Sequence, residues 1–175
     1  YTNWAQCFIQ YVEEIPQDSI SVIHWSLDVE LTAPTVTPAL VSLGVSQDAS
    51  SGYDPQYDYP SPPNPPSDFI EAYFPHTGGN WPEFLGMKYS KDIRNPVDPS
   101  WELVIENTCQ SGEVSLNWDT SVISVLPKNY NLMLKDSVGG VTINMRSVSY
   151  YSFQYFEKRT LTIYASSNDT TFFNV

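Results

Sequence analysis

The sequence predicts an all-β protein, an antiparallel two-sheet sandwich of jelly-roll or immunoglobulin-like type with about ten strands and an N-terminal arm. Three observations predict it. Between Trp101 and Ala165, apolar and polar residues alternate in six short runs at about 10-residue spacing, the pattern of a sandwich or barrel. Aromatic residues make up 14% of the chain, with 12 Tyr and 5 Trp, and these suit strands and binding faces better than helices. Fourteen prolines, with few runs of Ala, Leu, Lys or Glu, leave little room for helix.

In chain order, residues 4–15 read as either helix or strand: Trp4, Cys7, Phe8 and Tyr11 fall at helical spacing, whereas Phe8, Gln10 and Val12 alternate. Pro16 ends the segment in both cases. Ser19 to Leu31 alternates cleanly and reads as a long half-buried strand, followed by a second from Thr35 to Val45 in which Pro38 marks an edge or bend. Ser46 to Pro66 holds six prolines and no period, so it reads as an ordered, acidic, aromatic loop that crosses over within one domain. Strands follow at Phe69–Phe74 and Lys88–Arg94, separated by a loop that carries Gly78, Gly79 and Trp81. The regular part comprises Trp101–Asn107, Glu113–Asp119, Tyr130–Asp136, Val141–Arg146, Tyr150–Tyr155 and Arg159–Ala165, with Gly139-Gly140 as a hairpin turn. The expected organisation is an arm or extra strand over residues 1–18, a sandwich over 19–165 and a tail over 166–175.

Charge is distributed unevenly. The net charge is −12, and the first basic residue is Lys88. Residues 1–87 carry 11 acids and no Lys or Arg, while residues 88–175 carry 9 acids and 8 bases. An acidic half repels phosphate, so nucleic acid is excluded as an expected partner. No stretch is long and apolar enough to span a membrane. Cys7 and Cys109 lack the spacing and histidines of a zinc site. In a secreted protein they would pair, closing a loop of about 100 residues worth on the order of 4 kcal/mol. Asn168-Asp169-Thr170 is a glycosylation sequon, and a start at Tyr1 reads as a processed or trimmed N-terminus.

One set of residues resembles a known group. Leu43-Gly44-Val45, the run Gly52-Tyr53-Asp54-Pro55 with Tyr57-Asp58, and Asp92-Ile93-Arg94 come first. Trp101-Glu102-Leu103, Val114 to Trp118, Leu134-Lys135-Asp136, Asn144-Met145-Arg146 and Arg159 to Ile163 follow. Their order resembles β-sandwich modules of large secreted or surface-attached bacterial and archaeal proteins, over roughly residues 20–165. The resemblance implies an extracellular or cell-surface location and an immunoglobulin-like fold.

The candidate site residues fall into four groups. Asp48, Asp54 and Asp58 offer oxygen ligands for Ca²⁺, the one cofactor the loop allows, and equally suit the capping of turns. Arg94 and Arg146, each ending a strand, are candidate bidentate partners that would hold this loop. Tyr53, Tyr57, Tyr59 and Trp81, with Tyr73 and Tyr89, form a candidate ligand-binding surface for stacking sugars, whereas Trp25, Trp101 and Trp118 read as core. Trp4, Phe8, Ile9, Tyr11 and Val12 are candidate assembly residues, because an apolar, base-free arm suits strand addition to a neighbour. His24 and His76 sit in unrelated contexts with no nucleophile motif, and Asp28 and Glu30 share a strand face without the marks of a glycosidase pair. The expected function is therefore non-enzymatic: a structural or adhesive surface protein, a filament or lattice subunit whose partners are its own copies or other surface proteins. The alternative is a carbohydrate-binding module, calcium-dependent or not, with a glycan as partner.

Overall fold

The computed structural model describes residues 24–97, 99–108, 112–126 and 130–167. The arm of residues 1–18, with Trp4, Phe8, Ile9, Tyr11 and Val12, lies outside the described residues, as do Cys7, Cys109, Asn168 and the rest of the tail. The described chain is all-β. Its strands are β1 (His24–Thr32), β2 (Ala39–Ser46), β3 (Tyr59–Pro60), β4 (Ile70–Pro75), β5 (Lys88–Arg94) and β6 (Ser100–Asn107), then β7 (Gly112–Trp118), β8 (Tyr130–Asp136), β9 (Val141–Asn144), β10 (Tyr150–Tyr155) and β11 (Arg159–Ser167). One short helix, α1 (Thr120–Ser124), links β7 to β8, and Glu83–Leu85 form a 3₁₀ turn.

The strands form one curled sheet in the order β10-β7-β1-β2-β5-β4-β6-β11-β8-β9, with β3 added beside β5. All its pairings are antiparallel except β2 with β5, which run parallel, so the sheet is mixed where a wholly antiparallel one was expected. That pairing follows from the connection after β2: the 46–66 segment carries the chain through β3 and delivers it to β4, and β5 then returns beside β2 in the same direction. β4 joins the two halves. Ile70 to Tyr73 pair with β6, then Phe74 and Pro75 pair with β5. With a neighbour on each side and both faces covered, β4 is buried from Ile70 to Phe74.

The sheet curls far enough to cover its own inner face. β9 and β10 end the strand order at opposite sides, yet only residues 145–149 separate them in sequence. The fold therefore brings these two ends within about 20 Å of each other. Trp118 stitches this turn down: its Nε1 donates to the carbonyls of Met145 and Val148, and its backbone N–H donates to Ser149 O. Inside the curl, Trp25 of β1 meets Trp101 of β6 and Tyr130 of β8, with ring centroids 6.0 and 6.1 Å apart in edge contacts. Trp25, Trp101 and Trp118 are all core, as their alternation predicts. β1 and β2 approach so closely that a Cβ on Gly44 would collide with the Trp25 carbonyl oxygen, which leaves glycine as the residue that fits there.

Local differences from the sequence reading have simple causes. β3 is two residues long and lies inside the Pro-rich segment, where no period signals it. α1 spans only five residues, nucleated by Asp119, whose carboxylate accepts the Ser121 N–H. β9 ends at Asn144 rather than Arg146, because Asn144 Oδ1 takes the Arg146 N–H and turns the chain. β11 runs to Ser167, two residues into the expected tail, paired with β8.

Candidate functional site

The 46–66 segment is an ordered wrap over β5, and its carboxylates act as backbone clamps. The Asp54 carbonyl accepts the N–H groups of Tyr57 and Asp58, both at 2.8 Å, which closes a single helical turn. The Asp54 carboxylate accepts from Ser50 N at 2.6 Å and Ser50 Oγ at 3.0 Å. Asp58 is fully buried: its Oδ2 accepts Asp54 N at 2.7 Å and its Oδ1 accepts Ile93 N of β5 at 3.0 Å. Asp48 is exposed, with its N–H turned to Ser46 Oγ. Among the described residues no three His, Cys, Asp or Glu side chains converge closely enough to hold a metal ion.

Neither arginine holds the loop in the way expected. Arg94 grips Asp92, two residues before it on β5, through Nε at 3.1 and 3.2 Å and Nη2 at 2.8 Å, and also donates to the Ser100 carbonyl. Arg146 donates to the carbonyls of Ser124, Leu126 and Tyr130 at the end of α1 and the start of β8. The loop is anchored to a main-chain N–H of β5 instead, which no side-chain pairing in the sequence could suggest.

The aromatics divide in the same way. Gly78 and Gly79, at φ 69° and 64°, turn the 76–87 loop back so that Trp81 stacks on His76, with centroids 3.5 Å apart and planes 2° from parallel. Trp81 also meets the buried Tyr89 edge-on at 4.6 Å, and Tyr53 packs at 5.9 Å from both rings. Tyr53 and Trp81 are thus brought together, tilted 56° to each other, while Tyr57 turns to Ser46 and Tyr59 lies under Lys91 Nζ. Tyr73 belongs to a separate polar network on the outer face of β4 and β6. Its hydroxyl donates to Glu106 at 2.7 Å, Lys158 donates to that hydroxyl, and Lys88 bridges Glu106 to the buried Glu71.

At the centre of the site stand two buried carboxyls of opposite character. Asp92 is held by His76 Nε2 at 2.8 Å and by Arg94; burial pushes its carboxyl up, but these two partners outweigh it and hold it below the usual range. Among the described residues Asp58 has no cationic partner to offset burial. Burial pushes its pKa up to about 6, against the pull of the Asp54 and Ile93 N–H groups and with help from the nearby Asp92 and Asp54 charges. His76 was visible in the sequence only as an isolated histidine, and its pairing with Asp92 joins residues 16 apart that no period connects.

The sign of the Asp58 effect sets a pH prediction. A carboxyl whose folded pKa lies above its unfolded value of 3.8 adds stability below that value and loses it as pH rises through about 6. Between pH 4 and 6.5, the protein should lose on the order of 1–3 kcal/mol relative to Asp58→Asn, read by urea unfolding of both proteins across that range. Parallel pH profiles for the two would contradict the assignment.

Outside this site, Asp28 and Glu30 line an open groove of about 360 Å³ with Leu40, Asn117, Trp118 and Asp119. Asp28 is engaged there by Ser42 Oγ. No helix among the described residues is long and apolar enough to cross a membrane. No family model, curated protein or solved structure matches the chain.

Proposed function

We propose that this chain is a non-enzymatic structural or adhesive module of the extracellular space or cell surface. It is a sandwich-like unit, its two leaves joined through β4, that links to copies of itself or to other surface proteins by β-strand addition. The observation that carries this reading is the open sheet: among the described residues, β9 and β10 each have a neighbour on one side only. A sheet that curls this far without closing leaves backbone donors and acceptors at its ends, and an added strand satisfies them. The clamped 46–66 segment and its aromatic packing support a rigid building block, and the base-free first 87 residues support solubility at a crowded surface.

The test is solution size. The full chain should form oligomers by light scattering at micromolar concentration, and deletion of residues 1–15 should return it to a monomer. A full chain that stays monomeric throughout contradicts the reading. Retention on a glycan array, with or without Ca²⁺, that is lost on Trp81→Ala or Tyr57→Ala would favour a carbohydrate-binding module instead.

A further inference from the structure

We infer that the acceptor in this assembly is the free edge of β10, and that its occupant is the segment of residues 4–12 from a second copy of the chain. The inference rests on the strand-addition reading and goes beyond it in naming which end of the sheet is used and what pairs with it.

The ladder phase shows what each end offers. The bond from Trp118 N to Ser149 O makes Ser149 and Trp118 a hydrogen-bonded pair. With the register Tyr150↔Asn117 to Tyr155↔Gly112, the main-chain groups of Tyr151, Phe153 and Tyr155 then face β7. Those of Tyr150, Ser152 and Gln154 face away, three N–H and three C=O groups with no partner among the described residues. The other end offers less. Met145 N donates to Leu132 O, so by the register Met133↔Asn144 only Thr142 and Asn144 of β9 face outward. The Asn144 carbonyl is already taken by Ser147 N.

The side chains agree. β10 reads Tyr-Tyr-Ser-Phe-Gln-Tyr without a charge, a proline or a glycine, which are the features that natural edge strands use to refuse pairing. Phe153 and Tyr155 are buried against the core, while Tyr150 is 60% exposed and Phe156, just beyond the strand, 75% exposed. Residues 4–12, Trp-Ala-Gln-Cys-Phe-Ile-Gln-Tyr-Val, are equally free of charge in a chain of net charge −12. Two copies can therefore meet along this pair without setting like charges opposite one another. Nine residues also suffice to cover a six-residue edge.

The fold favours a second copy over self-capping. Glu30 of β1 and Tyr150 of β10 both lie level with Asn117 of β7, and β1 begins at His24, so the chain enters about 20 Å ahead of the start of β10 and about 10 Å to its side. A return to its own β10 edge would have to pass the corner occupied by α1, whose Ile123 is buried in the core, and by the 145–149 turn fastened to Trp118.

Ser152→Pro tests the inference. It removes one outward N–H and leaves the bonds to β7 intact, so the strand itself is retained. Gln154→Lys, a charge on the same edge, is the second variant, and Thr142→Pro on β9 is the control. Sedimentation velocity of the full-length proteins should show half-assembly at about tenfold higher concentration for Ser152→Pro and Gln154→Lys, with Thr142→Pro unchanged. If deletion of residues 1–12 abolishes assembly while both β10 variants assemble as the parent does, β10 is not the acceptor and the strand-addition reading stands. If the full chain is monomeric, or the deletion assembles normally, both fail.

Discussion

Asp136→Ala should cost about 3–5 kcal/mol, the largest loss expected of any single polar substitution in this fold. Asp136 is completely buried at the end of β8. It accepts the N–H groups of Val138 and Gly139 at 3.0 Å, the Tyr151 hydroxyl at 2.6 Å, and Nε and Nη2 of Arg159. Burial pushes its carboxyl up, but Arg159, Tyr151 and the Gly139 N–H together hold it below the usual range. The bonds do more than fill a cavity. Arg159 lies on β11 and over the Phe153 ring, and Tyr151 lies on β10, so one carboxylate ties the end strand of one half to the centre of the other. Removing it leaves a guanidinium in a site 14% exposed and opens the seam between β10 and β8. Urea unfolding measures the loss directly. Tyr151→Phe should cost less, about 1–2 kcal/mol, and the Asp136→Ala/Arg159→Ala pair should cost less than the sum of its parts. Because the folded pKa is depressed, the contribution is complete above the unfolded value of 3.8 and disappears as pH falls below it. The acid limb of the parent should therefore flatten in the variant. A loss under 1 kcal/mol would show that the carboxylate is not holding the seam.

Asp92→Ala should cost about 2–4 kcal/mol, less than Asp136→Ala because Arg94 is 26% exposed and keeps its bond to the Ser100 carbonyl. Its local consequence separates it from a general loss of stability. Without Asp92, His76 loses its Nε2 partner, and the stack with Trp81 that packs Tyr53 and the loop is released. Chymotrypsin should then cleave after Tyr53 or Tyr57 under conditions in which the folded parent resists. A variant as resistant as the parent would mean that the Asp58 clamp on Ile93 holds the loop alone.

The regular strands were legible in the sequence because half-buried strands alternate, and six of them follow one another between Trp101 and Ala165. The middle of the sheet was harder to read. β4 is buried on both faces and shows no alternation, and β3 amounts to two residues held by β5. The parallel pairing of β2 with β5 depends on where a non-periodic segment delivers the chain, and local pattern does not encode that. The loop was recognisable as ordered, with tyrosines as anchors and Asp residues as turn caps, but its attachment was not. Asp58 binds a backbone N–H, and every residue type except proline supplies one. Asp136 with Arg159 and His76 with Asp92 are joined by strand order alone, 23 and 16 residues apart.

The most direct test of the central claim is negative-stain electron microscopy of the full-length protein, concentrated alongside the variant lacking residues 1–15. The account predicts filaments or lattices for the full chain and dispersed single particles for the deletion. Single particles from both proteins at every concentration would contradict it.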